Sequence, residues 1–173
     1  MKKYFRLFIL ALFSVIVTSL ASCSKDEGEI ESGTLTDFKI NDTKISKLLT
    51  ANCEEGHLMG EYWVSFGSQF YYEDDMVYME VSVPFKSFSQ LKSGQELIDY
   101  IDIAGFYVLL GPNNSNIGFG GSSARYNDLE GSVKVKSLNN KTVTLQFSNF
   151  SFNKSQGDEK KFVFSGSITY NFN

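Results

Sequence analysis

The stretch Phe162-Val163-Phe164-Ser165-Gly166-Ser167-Ile168-Thr169-Tyr170-Asn171-Phe172 decides the fold. Phe162, Phe164, Ile168, Tyr170 and Phe172 fall on one side of an alternating pattern, and Ser165, Ser167, Thr169 and Asn171 fall on the other. Successive side chains of an extended chain point to opposite faces, so this period of two predicts a strand packed on one side, with Gly166 in its middle. Working back, Val133 and Val135 alternate with Lys134 and Lys136, and Leu138-Asn139-Asn140-Lys141 supplies turn chemistry. Val143, Leu145 and Phe147 then alternate with Thr142, Thr144 and Gln146. Residues 130–172 therefore read as a three-stranded antiparallel meander. The apolar phase switches after Phe147, since Phe150 and Phe152 have the other parity, and a bulge near Ser148-Asn149 restores the facing.

The same period runs through the earlier part of the chain. Tyr62, Val64 and Phe66 alternate, as do Val77, Met79, Val81, Val83 and Phe85. Gly67-Ser68-Gln69 and Glu73-Asp74-Asp75 read as polar turns, and Pro84 stands where a strand's end tolerates a missing N–H. Phe38-Lys39-Ile40-Asn41-Asp42-Thr43-Lys44-Ile45 reads as a small hairpin. One helical candidate exists, the capping-box pattern Ser93-Gly94-Gln95-Glu96 followed by Leu97, Ile98, Tyr100 and Ile101; Gly94 weakens it, so one or two turns are expected. Eight to ten short strands and few prolines predict an all-β chain, a single antiparallel β-sandwich or a partly closed β-barrel, spanning 34–173.

The N-terminus is of another kind. Met1-Lys2-Lys3-Tyr4-Phe5-Arg6 carries three cations and no acid, an apolar run follows from Leu7 to Val17, and small residues occupy much of 18–22. That is the layout of a cleaved signal peptide over residues 1–22. A membrane-spanning anchor over about Leu7 to Ala21 is the competing reading, disfavoured by Ser14, Thr18 and Ser19 within that stretch. Leu20-Ala21-Ser22-Cys23 has the form of a lipobox, and here the chain resembles bacterial lipoproteins, whose leader is cut before a cysteine that carries the lipid. The resemblance implies that Cys23 is lipidated and is the first mature residue. At roughly 0.8 kcal/mol per buried CH₂, two or three acyl chains anchor a protein effectively permanently.

Ser24, Lys25, Asp26 and Glu27 follow, and a lysine with two acids resembles the export signal of surface-exposed lipoproteins of Bacteroides-type bacteria. The implied address is the outer membrane, lipid-anchored, at the cell surface. The C-terminal ending Gly166-Ser167-Ile168-Thr169-Tyr170-Asn171-Phe172 is also similar to small lipoproteins of that type, a likeness of style that transfers no site residues. Residues 23–33 are poor in apolar groups, with one Ile30, and cannot repay their ordering entropy by burial, so they read as an acidic tether.

Charge excludes one class of partner. The 173-residue chain has 16 basic and 20 acidic residues; loss of the leader removes three of the basic ones, leaving 13 against 20, a net charge of −7. Lys134, Lys136, Lys141 and Lys154 are scattered, so no nucleic-acid footprint is expected. No cofactor and no metal are expected. Cys53 and His57, in Cys-Glu-Glu-Gly-His, raise a metal site or a nucleophile with its base, but zinc needs more ligands than two. Glu73-Asp74-Asp75 lacks the alternating ligands and turn glycine of a calcium loop. Asp99 and Asp102 stand three apart, a spacing that serves an acidic pair only on a helix.

The least ordinary segment is the Gly-, Asn- and Ser-rich run 111–123. It lacks the Gly-Lys-Ser/Thr ending of a phosphate-binding loop. Asn113, Asn114 and Asn116 offer hydrogen bonds to sugar hydroxyls, and Trp63, Tyr71, Tyr72 and Phe119 offer rings to stack on a sugar face. A non-catalytic domain that binds a glycan or an envelope protein is the leading expectation. A hydrolase using Cys53 and His57 or an acidic pair, a purely structural envelope component, and a small barrel carrying an apolar ligand are the alternatives.

Overall fold

In a computed structural model, residues 33–110, 121–124, 129–152 and 162–173 are described. The strands in chain order are β1 (Thr34–Ile40), β2 (Thr43–Lys44), β3 (Leu48–Leu58), β4 (Glu61–Tyr72), β5 (Asp75–Val83), β6 (Ile103–Leu110), β7 (Gly121–Ala124), β8 (Leu129–Leu138), β9 (Thr142–Phe152) and β10 (Phe162–Phe172). The fold is all-β, as the period-2 pattern requires.

The strands make one hydrogen-bonded network with two five-stranded limbs. The first limb runs β8-β9-β10-β1-β2 and is antiparallel throughout. The second is the meander β3-β4-β5-β6-β7. A short parallel pairing, Asn171 with Asn52 and Phe172 with Cys53, links them at the end of β10. Among the described residues β2, β7 and β8 do not pair with one another, so the sheet stays open rather than closing into a barrel.

The limbs pack inner face to inner face through aromatic side chains. Phe38 of β1 meets Phe70 of β4 edge-on at 5.7 Å, Tyr170 of β10 meets Phe66 of β4 at 5.5 Å, and Phe164 of β10 meets Phe106 of β6 at 5.7 Å. Phe38 also touches Phe147 at 5.7 Å and is fully buried. Truncating such a ring to alanine costs about 3–5 kcal/mol. Sandwich-type packing follows from the alternation: each strand contributes its inward residues to one shared core.

The meander of β8, β9 and β10 matches the sequence reading, and so does the bulge. It belongs to a line of positive-φ residues crossing four strands: Gly131 (φ +87), Asn149 (φ +50), Gly166 (φ +106) and Asp37 (φ +50). Register shifts fall beside them in the β8–β9, β9–β10 and β1–β10 pairings. A Cβ on Gly131 would stand 2.2 Å from the Asn149 carbonyl oxygen, and one on Gly166 would stand 2.4 Å from that of Asp37. The extra residues lie in β9, at Ser148-Asn149, and in β1, at Asp37-Phe38; they restore inward facing to Phe150 and Phe152 and to Phe38 and Ile40, all fully buried.

Two-residue turns at Asn41-Asp42, Met59-Gly60 and Glu73-Asp74, with positive φ throughout, close the β1–β2, β3–β4 and β4–β5 hairpins. The first and last were legible as turn residues. Gly67-Ser68-Gln69 is not a turn, however; it lies inside β4, where Ser68 continues the inward row Val64, Phe66, Phe70.

The helical candidate is also corrected. Segment 94–97 forms an irregular extra edge on β8: Gly94 N–H donates to the Val135 carbonyl, Val135 N–H to that of Gln95, and Leu97 N–H to that of Val133. Glu96 does not close a capping box. Its carboxylate accepts from Val133 N–H at 2.8 Å and from the Ser132 hydroxyl. The strand edge offered donors that the short helix did not, and only a 3-10 turn remains, at Ile98–Tyr100, with another at Phe88–Gln90. Phe85, Leu91, Leu97 and Ile101 from this connection are buried and close the core at the Met59-Gly60 end.

Candidate binding face

The inward row of β4 leaves Trp63, Ser65, Gly67, Gln69 and Tyr71 on the outer face of the second limb. On β5, Val77, Met79, Val81 and Val83 point inward, so Met76, Tyr78, Glu80 and Ser82 join that outer face. Register places Ser65 opposite Ser82, Gly67 opposite Glu80, and Gln69 opposite Tyr78.

Two rings lie on glycines. Gly56 of β3 pairs with Trp63, and a Cβ there would stand 2.1–2.3 Å from three indole atoms, so the indole rests directly on the Gly56 backbone. A Cβ on Gly67 would stand 2.6 Å from the Tyr78 hydroxyl and 3.2 Å from its ring. A glycine within a strand weakens it unless something needs the close approach, and here an aromatic ring does. Both side chains are half-buried, the indole over Gly56 and the phenol end of Tyr78 over Gly67.

Between them sits a polar cluster. The Ser65 hydroxyl donates to Glu80 Oε1 at 2.7 Å, and the Ser82 hydroxyl lies 3.1 Å from both Glu80 Oε1 and Ser65 Oγ. Ser82 has one proton, so it serves one acceptor at a time. Trp63 and Gly67 are four residues apart on one strand, so the two ring positions are spaced by about 13 Å. The outward side chains of β4 and β5 between the rings include a carboxylate and no cation.

The expected site residues are distributed as follows. Trp63 is in this face. Tyr71 shares the face but stands eight residues further along β4, exposed, with Lys47 Nζ 5.7 Å above its ring. Tyr72 turns to the other side and meets Phe106 edge-on at 6.0 Å. Its phenol titrates above the usual range because of burial first and Glu73 second. Asn113, Asn114, Asn116 and Phe119 lie outside the described residues, as do Cys23, Ser24, Lys25, Asp26 and Glu27.

Cys53 and His57 do not meet. They are four residues apart on an extended strand, roughly 13 Å, with Cys53 fully buried and His57 exposed. Burial, then Glu54 and Glu55, pushes the Cys53 thiol far above its ordinary range, so it stays protonated and a poor nucleophile. His57 instead stacks on Tyr62 at 4.1 Å. Glu73 and Asp74 form a hairpin turn, and among the described residues no three His, Cys, Asp or Glu converge as metal ligands. Asp99 and Asp102 are exposed, and the Asp102 N–H donates to the Ser82 carbonyl.

The first limb carries a shallow depression of about 400 Å³ lined by Lys39, Asn41, Asp42, Asn149, Val163 and Ser165. Its amides are committed to structure: Asn41 Oδ1 accepts from Val163 N–H, and Asn149 exchanges contacts with Ser165. No known family model matches the chain, and no curated protein or solved structure matches it.

Of the residues on this candidate face, sequence reasoning named Trp63 and Tyr71 but not Tyr78, Glu80, Ser65 or Ser82. The available signal was the apolar row Val64, Phe66, Phe70 running on through Gly67-Ser68-Gln69. Followed through, it makes Gly67 a strand glycine and asks which ring covers it.

Proposed function

We propose that this chain is a lipid-anchored lipoprotein of the outer membrane, displayed at the cell surface, whose sandwich binds a neutral glycan along the outer face of β3–β6. One observation carries the binding reading: the Trp63 indole rests on Gly56 and the phenol end of Tyr78 covers Gly67, at either side of the Ser65–Glu80–Ser82 cluster. Aromatic rings supply the apolar contact that the C–H face of a sugar needs, and the half-buried Glu80 carboxylate and Ser65 hydroxyl, backed by the buried Ser82, supply partners for its O–H groups. A carboxylate with no cation beside it among the described residues disfavours sulfated or uronic sugars. The spacing of the rings suits an oligosaccharide over a single sugar. The address rests on Leu20-Ala21-Ser22-Cys23 and the acidic tether. The face acts by binding, without catalysis.

The test is a glycan array probed with the full lipidated chain in detergent, beside Trp63→Ala and Tyr78→Ala. Neutral oligosaccharides bound by the parent and weakened about tenfold or more by either substitution are expected, since buried aromatic anchors dominate binding energy. Binding that both variants retain, or a preference for acidic glycans, overturns the reading.

A further inference from the structure

The sandwich has two unlike ends. At one, the Met59-Gly60 turn presents Met59 with 91 % of its surface exposed, and Tyr62 and Tyr100 are 40 % and 46 % exposed. These are three of the four large hydrophobic residues most exposed among those described, the other being Tyr71. Met59 and Tyr62 belong to one hairpin, and the Phe85-Lys86 dipeptide links Tyr62 to Tyr100: Lys86 Nζ stands 5.8 Å from the Tyr62 ring, and Phe85 lies 5.5 Å from Tyr100. The opposite end carries the polar turns Asn41-Asp42 and Glu73-Asp74.

β1 runs between these ends in one direction. Its first residue pairs with Thr169 and its last with Phe164, so from Gly33 the strand runs away from the Met59 end and towards the polar turns. Gly33 abuts Ala51 of β3. Leu58 lies seven residues beyond Ala51 along an extended strand, placing the Met59 turn roughly 23 Å from Gly33. The ten residues from 24 to 33 reach about 35 Å when extended. A lipid on Cys23 can therefore sit in a bilayer while the Met59 end rests on its surface.

We infer that the Met59 end, with Tyr62 and Tyr100, is the membrane-facing surface of the sandwich and contacts zwitterionic phospholipid headgroups. This rests on the lipid-anchoring reading. Amphipathic tyrosines belong at that depth, and lysine stems cover apolar surface while their charges stay wet. Lys86, beside the Tyr62 ring, is outnumbered by the exposed Glu54, Glu55 and Glu61 on the adjoining stretches of β3 and β4, so charge attraction does not drive the contact. A weak contact suffices, because the anchor supplies a high effective concentration. In this pose the polar turns are lifted away from the lipid.

The experiment is hydrogen–deuterium exchange on the full lipidated chain in phosphatidylcholine vesicles, against Met59→Glu/Tyr62→Glu in the same vesicles. Amides of 58–62 in the parent are expected to exchange at least about fivefold more slowly than in the variant, at low and high salt alike, with 41–42 and 73–74 unchanged. Equal exchange at 58–62, or slowing at the polar turns, overturns the inference. Unchanged protection in β8–β10 verifies that the variant is folded. Failure of the parent to float with vesicles overturns the anchoring reading as well; flotation without protection at 58–62 overturns the orientation alone.

Discussion

Replacing Gly166 by alanine separates backbone strain from collision at the bulge line. Its φ of +106 is a conformation that L-residues rarely adopt, costing roughly 1–3 kcal/mol for any side chain. The new Cβ would also stand 2.4 Å from the Asp37 carbonyl oxygen, a backbone atom that moves only if β1 moves. Overpacking of that kind adds about 1–3 kcal/mol. Gly94→Ala is the control: its φ is +83, yet nothing lies within 4 Å of the added Cβ, so only the strain applies. At roughly 3 °C per kcal/mol for a chain of this size, Gly166→Ala should lower Tm by about 6–18 °C and Gly94→Ala by about half that or less. Gly131→Ala, with a Cβ 2.2 Å from the Asn149 carbonyl oxygen, should resemble Gly166→Ala. Thermal unfolding followed by circular dichroism, with urea denaturation as a second measure, reads the difference. Equal losses at Gly166 and Gly94 would show that the carbonyl contact does not matter and that the bulge line is not packed as described.

Other predictions concern the core and the aromatic face. Cys53 and Tyr170 both have protons held by burial, so their folded pKa values lie above the unfolded ones. Their stabilisation is complete below the unfolded values and is lost as pH rises: urea unfolding at successive pH should show a decline of about 1.4 kcal/mol per pH unit above about pH 8.5, steepening near pH 10. Cys53→Ala should remove the first part of that decline. The Tyr170 hydroxyl faces Ser68 Oγ in the core, yet neither closes a hydrogen bond of ordinary geometry. Tyr170→Phe should accordingly leave stability unchanged or raise it by up to about 1 kcal/mol, and a loss of more than about 1 kcal/mol in urea would contradict that. Gly56→Ala should lift the indole of Trp63, the chain's single tryptophan, off the sheet; its fluorescence should shift to the red while the far-ultraviolet spectrum keeps its β form.

Much of the fold was legible because two-fold alternation is a local signal. The Phe147-to-Phe150 phase change located a bulge before any pairing was known, and Asn41-Asp42 marked its hairpin. What escaped depended on distant partners. Glu96 looks like a helix cap beside Ser93, and only the approach of β8 gives its carboxylate the Val133 N–H instead. Gly67 looks like a turn residue, and only the Tyr78 ring across β5 explains a glycine in mid-strand. The candidate face was partly legible for the same reason: Trp63 is conspicuous by itself, whereas Glu80, Ser65 and Ser82 form a cluster only in register. The Cys53–His57 pairing failed on geometry, since four residues along a strand keep the two apart where a helix would have brought them together.

The most direct measurement of the central claim uses the indole N–H of Trp63, which gives one resonance because the chain has one tryptophan. Titration of the folded protein with a neutral oligosaccharide selected on the array should move that resonance saturably, at the affinity seen by calorimetry, and Tyr78→Ala should weaken both together. Glycan binding that leaves the Trp63 resonance in place would put the ligand elsewhere and contradict the account.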